Sequence, residues 1–296
     1  LNVPVYTGKF TAELLRHKAE RAAIELDIIE VTDKQRITAG DFTLDFISVD
    51  HSIPDTFAVR LSCKGFTALH ASDFRTGNDI DALIKRFTEV PLTCLLIDST
   101  NANASATKEN RSEFEIYNEI VEIFKEAKGR IFLTTFASNV ERLSSAIKAA
   151  KAVGRKIVIE GAAMERTIGI ASRMGIIHIS ESDMLPASKA HKEDPASLVY
   201  LASGCQGEYM SALFSIAMGE RKAIHMVEDD LLIFSSRNIP GNEGSINAMI
   251  NAAMRRNVNV IQASDRLVHT SGHIIPKELK ALISGVRPEW FIPIHG

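Results

Sequence analysis

Cysteine is scarce in this chain of 296 residues: Cys63, Cys94 and Cys205 lie far apart, and no two form a CxxC pair. That spacing argues against a disulfide framework and against a cysteine-built zinc site, and it suits a reducing compartment such as the cytoplasm. No run of about 18 apolar residues occurs, so no membrane span is expected. No signal-peptide pattern is read either. An excess of one charge is also missing: 34 Lys and Arg against 37 Asp and Glu leave a formal net charge of −3. Such a chain offers no global field to a nucleic acid or an anionic membrane, so a polyanion would have to be met by a local patch or a metal. Internal repeats and low-complexity tracts are absent as well.

What is present is ordinary globular protein, with 45% hydrophobic and 24% charged residues and a length that suits one large domain or two common ones. The first hundred residues read as strands: ELDIIEV, FTLDFISVD, TFAVRLSC, FTALHAS and LTCLLIDST, with TAELLRHKAERA as the one early helix. DSTNANASATKENRSE is small and polar and reads as a linker or loop. Beyond it EFEIYNEIVEIFKEA reads as an amphipathic helix. Strands (GRIFLTTF, RKIVIEG, SLVYLASG, DDLLIFSS, VNVIQA) then alternate with helices (SNVERLSSAIKAAKAVG, AAMERTIGIASRMG, YMSALFSIAMG, GSINAMINAAMRR), the signature of a parallel α/β sheet. The stretch from Pro186 to Pro195 reads as a loop. The last fifty residues return to strands, RLVHTSGH and WFIPIHG, around the helix PKELKALISGV. The pattern predicts one α/β domain inserted into another fold. The sequence opens at Leu1 and stops at Gly296 straight after an apolar strand, and both ends read as cut.

Five polar residues stand where predicted strands end: His51 in DHSIPD, Asp73 in ASDF, Asp98 in IDSTN, His273 in SGH and His295 in PIHG. Singly, a loop His is usually solvated and an Asp before a turn usually caps it. Together they offer the imidazole and carboxylate that a divalent cation takes, on rigid supports. TFASNVERL and GCQGEYM each read as strand, turn and helix, with Ser138 or Asn139 at the N-cap of the first. A helix N-terminus attracts anions, and plain capping is the competing reading.

The motifs HSIPD, SDF, DSTN, TFASN, GCQGE, IPGNE, SGH and PIHG, in this order, make the chain resemble the ribonuclease J family, the β-CASP group of metallo-β-lactamase-fold ribonucleases. The resemblance spans essentially the whole chain. It implies an α/β fold: a partial metallo-β-lactamase αββα sandwich (1–106 and the return segment 241–296) with an inserted β-CASP parallel α/β domain (107–240). It implies a metal-dependent ribonuclease of RNA processing and decay, rRNA processing included. The activity implied is 5′→3′ exonucleolytic with some endonucleolytic cutting, on single-stranded RNA bearing a 5′-monophosphate. The cofactors implied are two divalent ions, Zn²⁺ first and Mn²⁺ as the alternative, and the assembly a homodimer or homotetramer in the cytoplasm.

Carried onto matching positions, the resemblance makes His51, Asp73 and His295 metal ligands, Asp73 bridging both ions. Asp98 then orients a histidine from behind, and His273 stands near the scissile phosphate. Ser138, Asn139, Val140, His269, Thr270, Ser271, Gly272 and His273 become RNA-binding candidates, with Ser271 and Gly272 offering a hydroxyl and an unhindered N–H. The departures are also specific. The family's HxHxDH motif occurs nowhere in the 296 residues and is expected before Leu1, so this polypeptide alone is expected to hold an incomplete dinuclear site and to be inactive. Glu141, the alanines of GAAM, Cys205 and Tyr209 also differ from residues frequent in the family, which touches the RNA contacts more than the metal ligands. Two other readings are weighed: a metallo-β-lactamase-fold hydrolase of a small ester or thioester, disfavoured by the inserted domain, and a metal-free RNA-binding paralogue.

Overall fold

The structure, a computed structural model, describes residues 3–77, 79–105, 111–221 and 223–295. It divides into two compact units, one built from Leu1–Asn110 and Ser271–Gly296, the other from Arg111–Thr270.

The first unit opens with strand β1 (Val5–Thr7), helix α1 (Lys9–Ala22) and strand β2 (Ile28–Glu30), the two strands pairing in parallel. An antiparallel run follows: β3 (Arg36–Ala39), β4 (Phe42–Ser48), β5 (Phe57–Cys63) and β6 (Phe66–His70). The β5–β6 hairpin turns on Lys64 and Gly65, both at positive φ (47° and 83°), as a two-residue turn matched to strand twist requires. Helix α2 (Ile80–Phe87) starts on Asp79, whose side chain accepts from the Ala82 N–H, and β7 (Cys94–Asp98) then lies parallel to β6.

The inserted unit begins with α3 (Glu113–Glu126), closed by a reciprocal capping box between Ser112 and Glu115. It continues through β8 (Ile131–Thr134), α4 (Val140–Ala152), β9 (Lys156–Glu160), α5 (Ala162–Arg173), the single turn α6 (Ala187–Ala190), β10 (Leu198–Ala202), α7 (Ala212–Met218), β11 (Leu231–Phe234), α8 (Glu243–Met254) and β12 (Asn259–Ile261). The five strands form an all-parallel sheet in the order β12-β11-β8-β10-β9. IFLT, LVYLA and LLIF are buried at every residue, which is why these strands read as continuous apolar runs rather than alternations. Among the described residues of this unit, Arg142, Arg155, Glu160 and Asp230 are buried charges. Arg142 of α4 has no exposed surface, and its guanidinium donates twice to Glu113 and also to the Ser235 and Val268 carbonyls.

The chain returns to the first unit with α9 (Pro276–Val286) and β13 (Trp290–Ile294). β13 lies parallel to β7 and completes a six-stranded sheet, β13-β7-β6-β5-β4-β3. Leu83 and Phe87 of α2 and Leu279, Leu282 and Val286 of α9 pack with Leu69, Leu95 and Ile97 of that sheet. No helix among the described residues is long and apolar enough to cross a membrane.

The fold is α/β with a parallel-sheet unit inserted, as expected. Several details differ. The return to the first unit falls at Ser271, not at residue 241, because β12 pairs with β11 and α8 covers that sheet. The expected boundary between residues 106 and 107 lies outside the described residues. RLVHTSGH forms no strand: the Val268 carbonyl is taken by Arg142 and by the Ser235 hydroxyl rather than by a ladder. α2 is a second early helix. Part of the Pro186–Pro195 loop is the turn α6. Gly204–Glu208 precedes α7 without capping it; Ser211 does that, accepting from the Phe214 N–H.

Candidate metal centre

Parallel neighbours end side by side, and that places the first two side chains. Ile294 of β13 is in register with Asp98 of β7, and the Ser99 N–H donates to the Ile294 carbonyl at 2.7 Å. Asp98 and His295 therefore leave adjacent strand ends. The Thr100 hydroxyl donates to the His295 carbonyl at 3.3 Å, and His295 itself takes a left-handed φ of 63°. β6 flanks β7 on its other side, and Asp73 follows it, redirected by Ser72 at φ 62°. The His51 turn is tied to the same corner, because the Arg75 N–H donates to the Asp50 carbonyl at 2.7 Å.

Asp73, Asp98 and His295 each bring one ligand atom within 4.8 Å of the others. Nδ1 of His295 lies 2.6 Å from Oδ1 of Asp73. That oxygen is buried, yet it has no hydrogen-bond partner, so proximity there is not matched by donor geometry. An imidazole nitrogen and an orphaned carboxylate oxygen facing one another form a donor set that fits a divalent cation. His51 is outside this trio. Its Nδ1 lies 3.0 Å from the Gly272 carbonyl, which can only accept, so the proton is on Nδ1 and the Nε2 lone pair is left for a ligand. Burial pushes the His51 pKa down, the bond to Gly272 opposes this, and His273 pushes the same way as burial. A neutral ring is the form that binds metal.

His273 is held differently. Its Nδ1 lies 2.7 Å from Oδ2 of Asp98. Asp98 has no exposed surface, and burial works against its charge. The hydrogen bonds from His273 and Thr100 outweigh burial and keep the carboxyl below its usual range. The rings of His51 and His273 meet edge to face, with centroids 5.6 Å apart. Gly272 makes that crowding feasible: a Cβ there would stand 2.9 Å from Cε1 of His51.

The other candidates are placed less openly. Ser271 is 9% exposed, and its hydroxyl accepts from Asn101 Nδ2 at 3.0 Å and from the His273 N–H at 3.3 Å. In the inserted unit, Asn139 caps α4 by accepting from the Arg142 N–H. Ser138 is exposed. The Val140 side chain is buried, and its N–H already donates to the Ser138 carbonyl. His269 is half-buried and Thr270 is buried. The residue that sequence reasoning passed over is Asn101, the last letter of DSTN, whose side chain reaches three oxygens of the His273 loop. The one signal available was an amide shortly after an apolar strand.

Comparison with known proteins gives a consistent picture. The profile of the family described as "Ribonuclease J, beta-CASP domain" matches residues 128–253. Over its whole length the chain is 33% identical to Ribonuclease J of Mycolicibacterium smegmatis, covering 54% of that protein. It is 31% identical to Ribonuclease J of Helicobacter pylori strain 26695, again over all of the chain and 44% of the relative. The chain thus spans about half the length of the curated relatives it matches. A crystal structure of a protein of unknown function from Enterococcus faecalis V583 superposes with a TM-score of 0.72 over 99% of this chain and 70% of that one, at 16% identity, a likeness of fold.

Proposed function

The chain belongs to the ribonuclease J family, and on that premise we propose that it forms the metallo-β-lactamase and β-CASP part of a metal-dependent ribonuclease. Its substrate is single-stranded RNA with a 5′-monophosphate, degraded 5′→3′ with some internal cutting, in cytoplasmic RNA processing and decay that includes rRNA. The assembly is a homodimer or homotetramer. The observation that supports this reading is the Asp73, Asp98 and His295 cluster at three strand ends, with the orphaned Asp73 oxygen inside it.

Asp73 and His295 would hold divalent metal, Zn²⁺ or Mn²⁺, and Nε2 of His51 is free to join them. Such ions activate water at neutral pH and offset charge on a phosphate. HxHxDH is absent from the 296 residues, and two ions would need more ligands than these three side chains supply. His273, its Nδ1 fixed on Asp98, offers Nε2 as a hydrogen-bond or proton partner for the phosphate or the leaving oxygen. Gly272, whose carbonyl is engaged by His51, offers its backbone N–H to the same group. Asp98 acts by holding His273. In the inserted unit Ser138 presents a hydroxyl at the start of α4, and Asn139, Val140, His269 and Thr270 complete the RNA-binding set.

The test is a 5′-monophosphorylated RNA oligonucleotide against its 5′-triphosphate counterpart, with Zn²⁺ or Mn²⁺ added to metal-stripped protein. A polypeptide joining these residues to an HxHxDH segment is expected to release nucleotides from the monophosphate end, and the 296 residues alone to be inactive. Cleavage that survives metal stripping, or hydrolysis of small esters with RNA left intact, would overturn the reading.

A further inference from the structure

We propose that Asn101 is the positioning residue of the candidate metal centre: its side-chain amide fixes the Ser271–Ile274 loop and, through that loop, the ring orientations of both His51 and His273. The inference rests on reading those two histidines as groups of that centre.

Asn101 is 3% exposed and sits in the turn that follows β7, where the Ala104 N–H donates to its carbonyl at 2.9 Å. Its Nδ2 lies 3.0 Å from the Ser271 hydroxyl, 3.1 Å from the His273 carbonyl and 3.3 Å from the Ile274 carbonyl. These acceptors are 170 to 173 residues away in sequence. One amide with two hydrogens therefore serves three oxygens in a nearly dry place, where every unmet acceptor is costly.

The loop held this way carries both ring contacts. Between the Ser271 and His273 acceptors lies Gly272, whose carbonyl takes Nδ1 of His51. A Cβ added at Gly272 would stand 2.9 Å from Cε1 of the same ring. The next residue is His273, whose Nδ1 meets Asp98. Asn101 and Asp98 leave the same strand end three positions apart, so one segment grips the loop by its backbone and by its imidazole. A shift of a few tenths of an ångström in the Gly272 carbonyl would misalign its bond to His51 and release that ring to its other tautomer.

The experiment is ring ¹⁵N NMR on histidine-labelled, metal-free protein at pH 8, with His51→Gln to assign the signal. The wild type is expected to show His51 protonated on Nδ1. Asn101→Ala is expected to give a tautomer mixture at His51, while the exposed His178 and His191 keep their shifts. Asn101→Asp, which turns a carboxylate on two carbonyls, is expected to shift it further, and Asn101→Ser less. Zn²⁺ titration of the same proteins is expected to show affinity falling 10- to 100-fold in Asn101→Ala, the range found for groups behind metal ligands. An unchanged His51 tautomer with affinity within twofold of wild type would overturn the proposal. So would loss of the β4–β6 amide signals in both Asn101→Ala and Asn101→Ser, which would make Asn101 a general support of the unit. The tautomer readout needs neither metal nor RNA. A wild type that fails to bind Zn²⁺ therefore counts against the centre, while the ring spectra still decide the role of Asn101.

Discussion

Nδ1 of His273 points at Oδ2 of Asp98 across 2.7 Å, and the carboxylate at the far end of that bond is wholly buried. The pair holds a charge where water cannot, and it fixes which ring nitrogen of His273 faces the carboxylate.

Asp98→Asn should keep the shape and lose the charge. On the proposed function, and in a polypeptide that also carries an HxHxDH segment, the expected result is a drop in RNA cleavage of about 10- to 100-fold, the range found for groups behind metal ligands. The drop should fall on kcat, with KM within a few-fold, in steady-state assays at saturating metal. A rise in KM alone would show Asp98 serving RNA binding instead.

Gly272→Ala should be far more harmful than a methyl group on a loop normally is. The new Cβ would lie 2.9 Å from the His51 ring, and the ring is also held by the Gly272 carbonyl, so either ring or loop has to move. Overpacking of this kind costs about 1–3 kcal/mol, read as a lower urea midpoint, and it should come with loss of cleavage. Stability and activity equal to wild type would mean that the His51 ring is not fixed against the loop.

Arg142→Met should destabilise the inserted unit by about 3–5 kcal/mol in urea unfolding, because it strands the Glu113 carboxylate and leaves the Val268 carbonyl with the Ser235 hydroxyl alone of these two donors. Arg142→Lys should recover little, since one ammonium cannot span Glu113, Ser235 and Val268 as the planar fork does.

Cys205 should be chemically quiet. Burial pushes its thiol up to about 11, against weaker opposing bonds from Ser236 and Gln206. Because the folded-state pKa lies above the unfolded one of about 8.5, this thiol's share of stability is full below about pH 8 and is lost as pH rises toward the folded value. With iodoacetamide at pH 8, half-buried Cys63 should be alkylated first, and Cys205 and the buried Cys94 only on unfolding. Rapid loss of all three thiols in folded protein would contradict this.

Much of the fold was legible because burial on both faces writes strands as unbroken apolar runs, as in IFLT, LVYLA and LLIF. α2 was harder to read: it is eight residues long, and its start depends on one Asp cap. The return boundary differs because the expected one, at residue 241, precedes α8 and β12, and only the pairing of β12 with β11 assigns both to the inserted sheet. In the candidate centre, His51, Asp73, Asp98 and His295 could be picked out by their place after strands, and His273 as the end of an expected strand that does not form. Their partners could not. Nothing local says that Asn101 meets Ser271, or that the third atom beside Asp73 and His295 belongs to Asp98.

Strand β13 adds His295 to the cluster, and it emerges from the ribosome only after the whole Arg111–Thr270 insertion has been made. Synthesis runs from the N-terminus and domains generally fold as units, so the Asp73, Asp98 and His295 cluster can be completed only once the insertion has been translated.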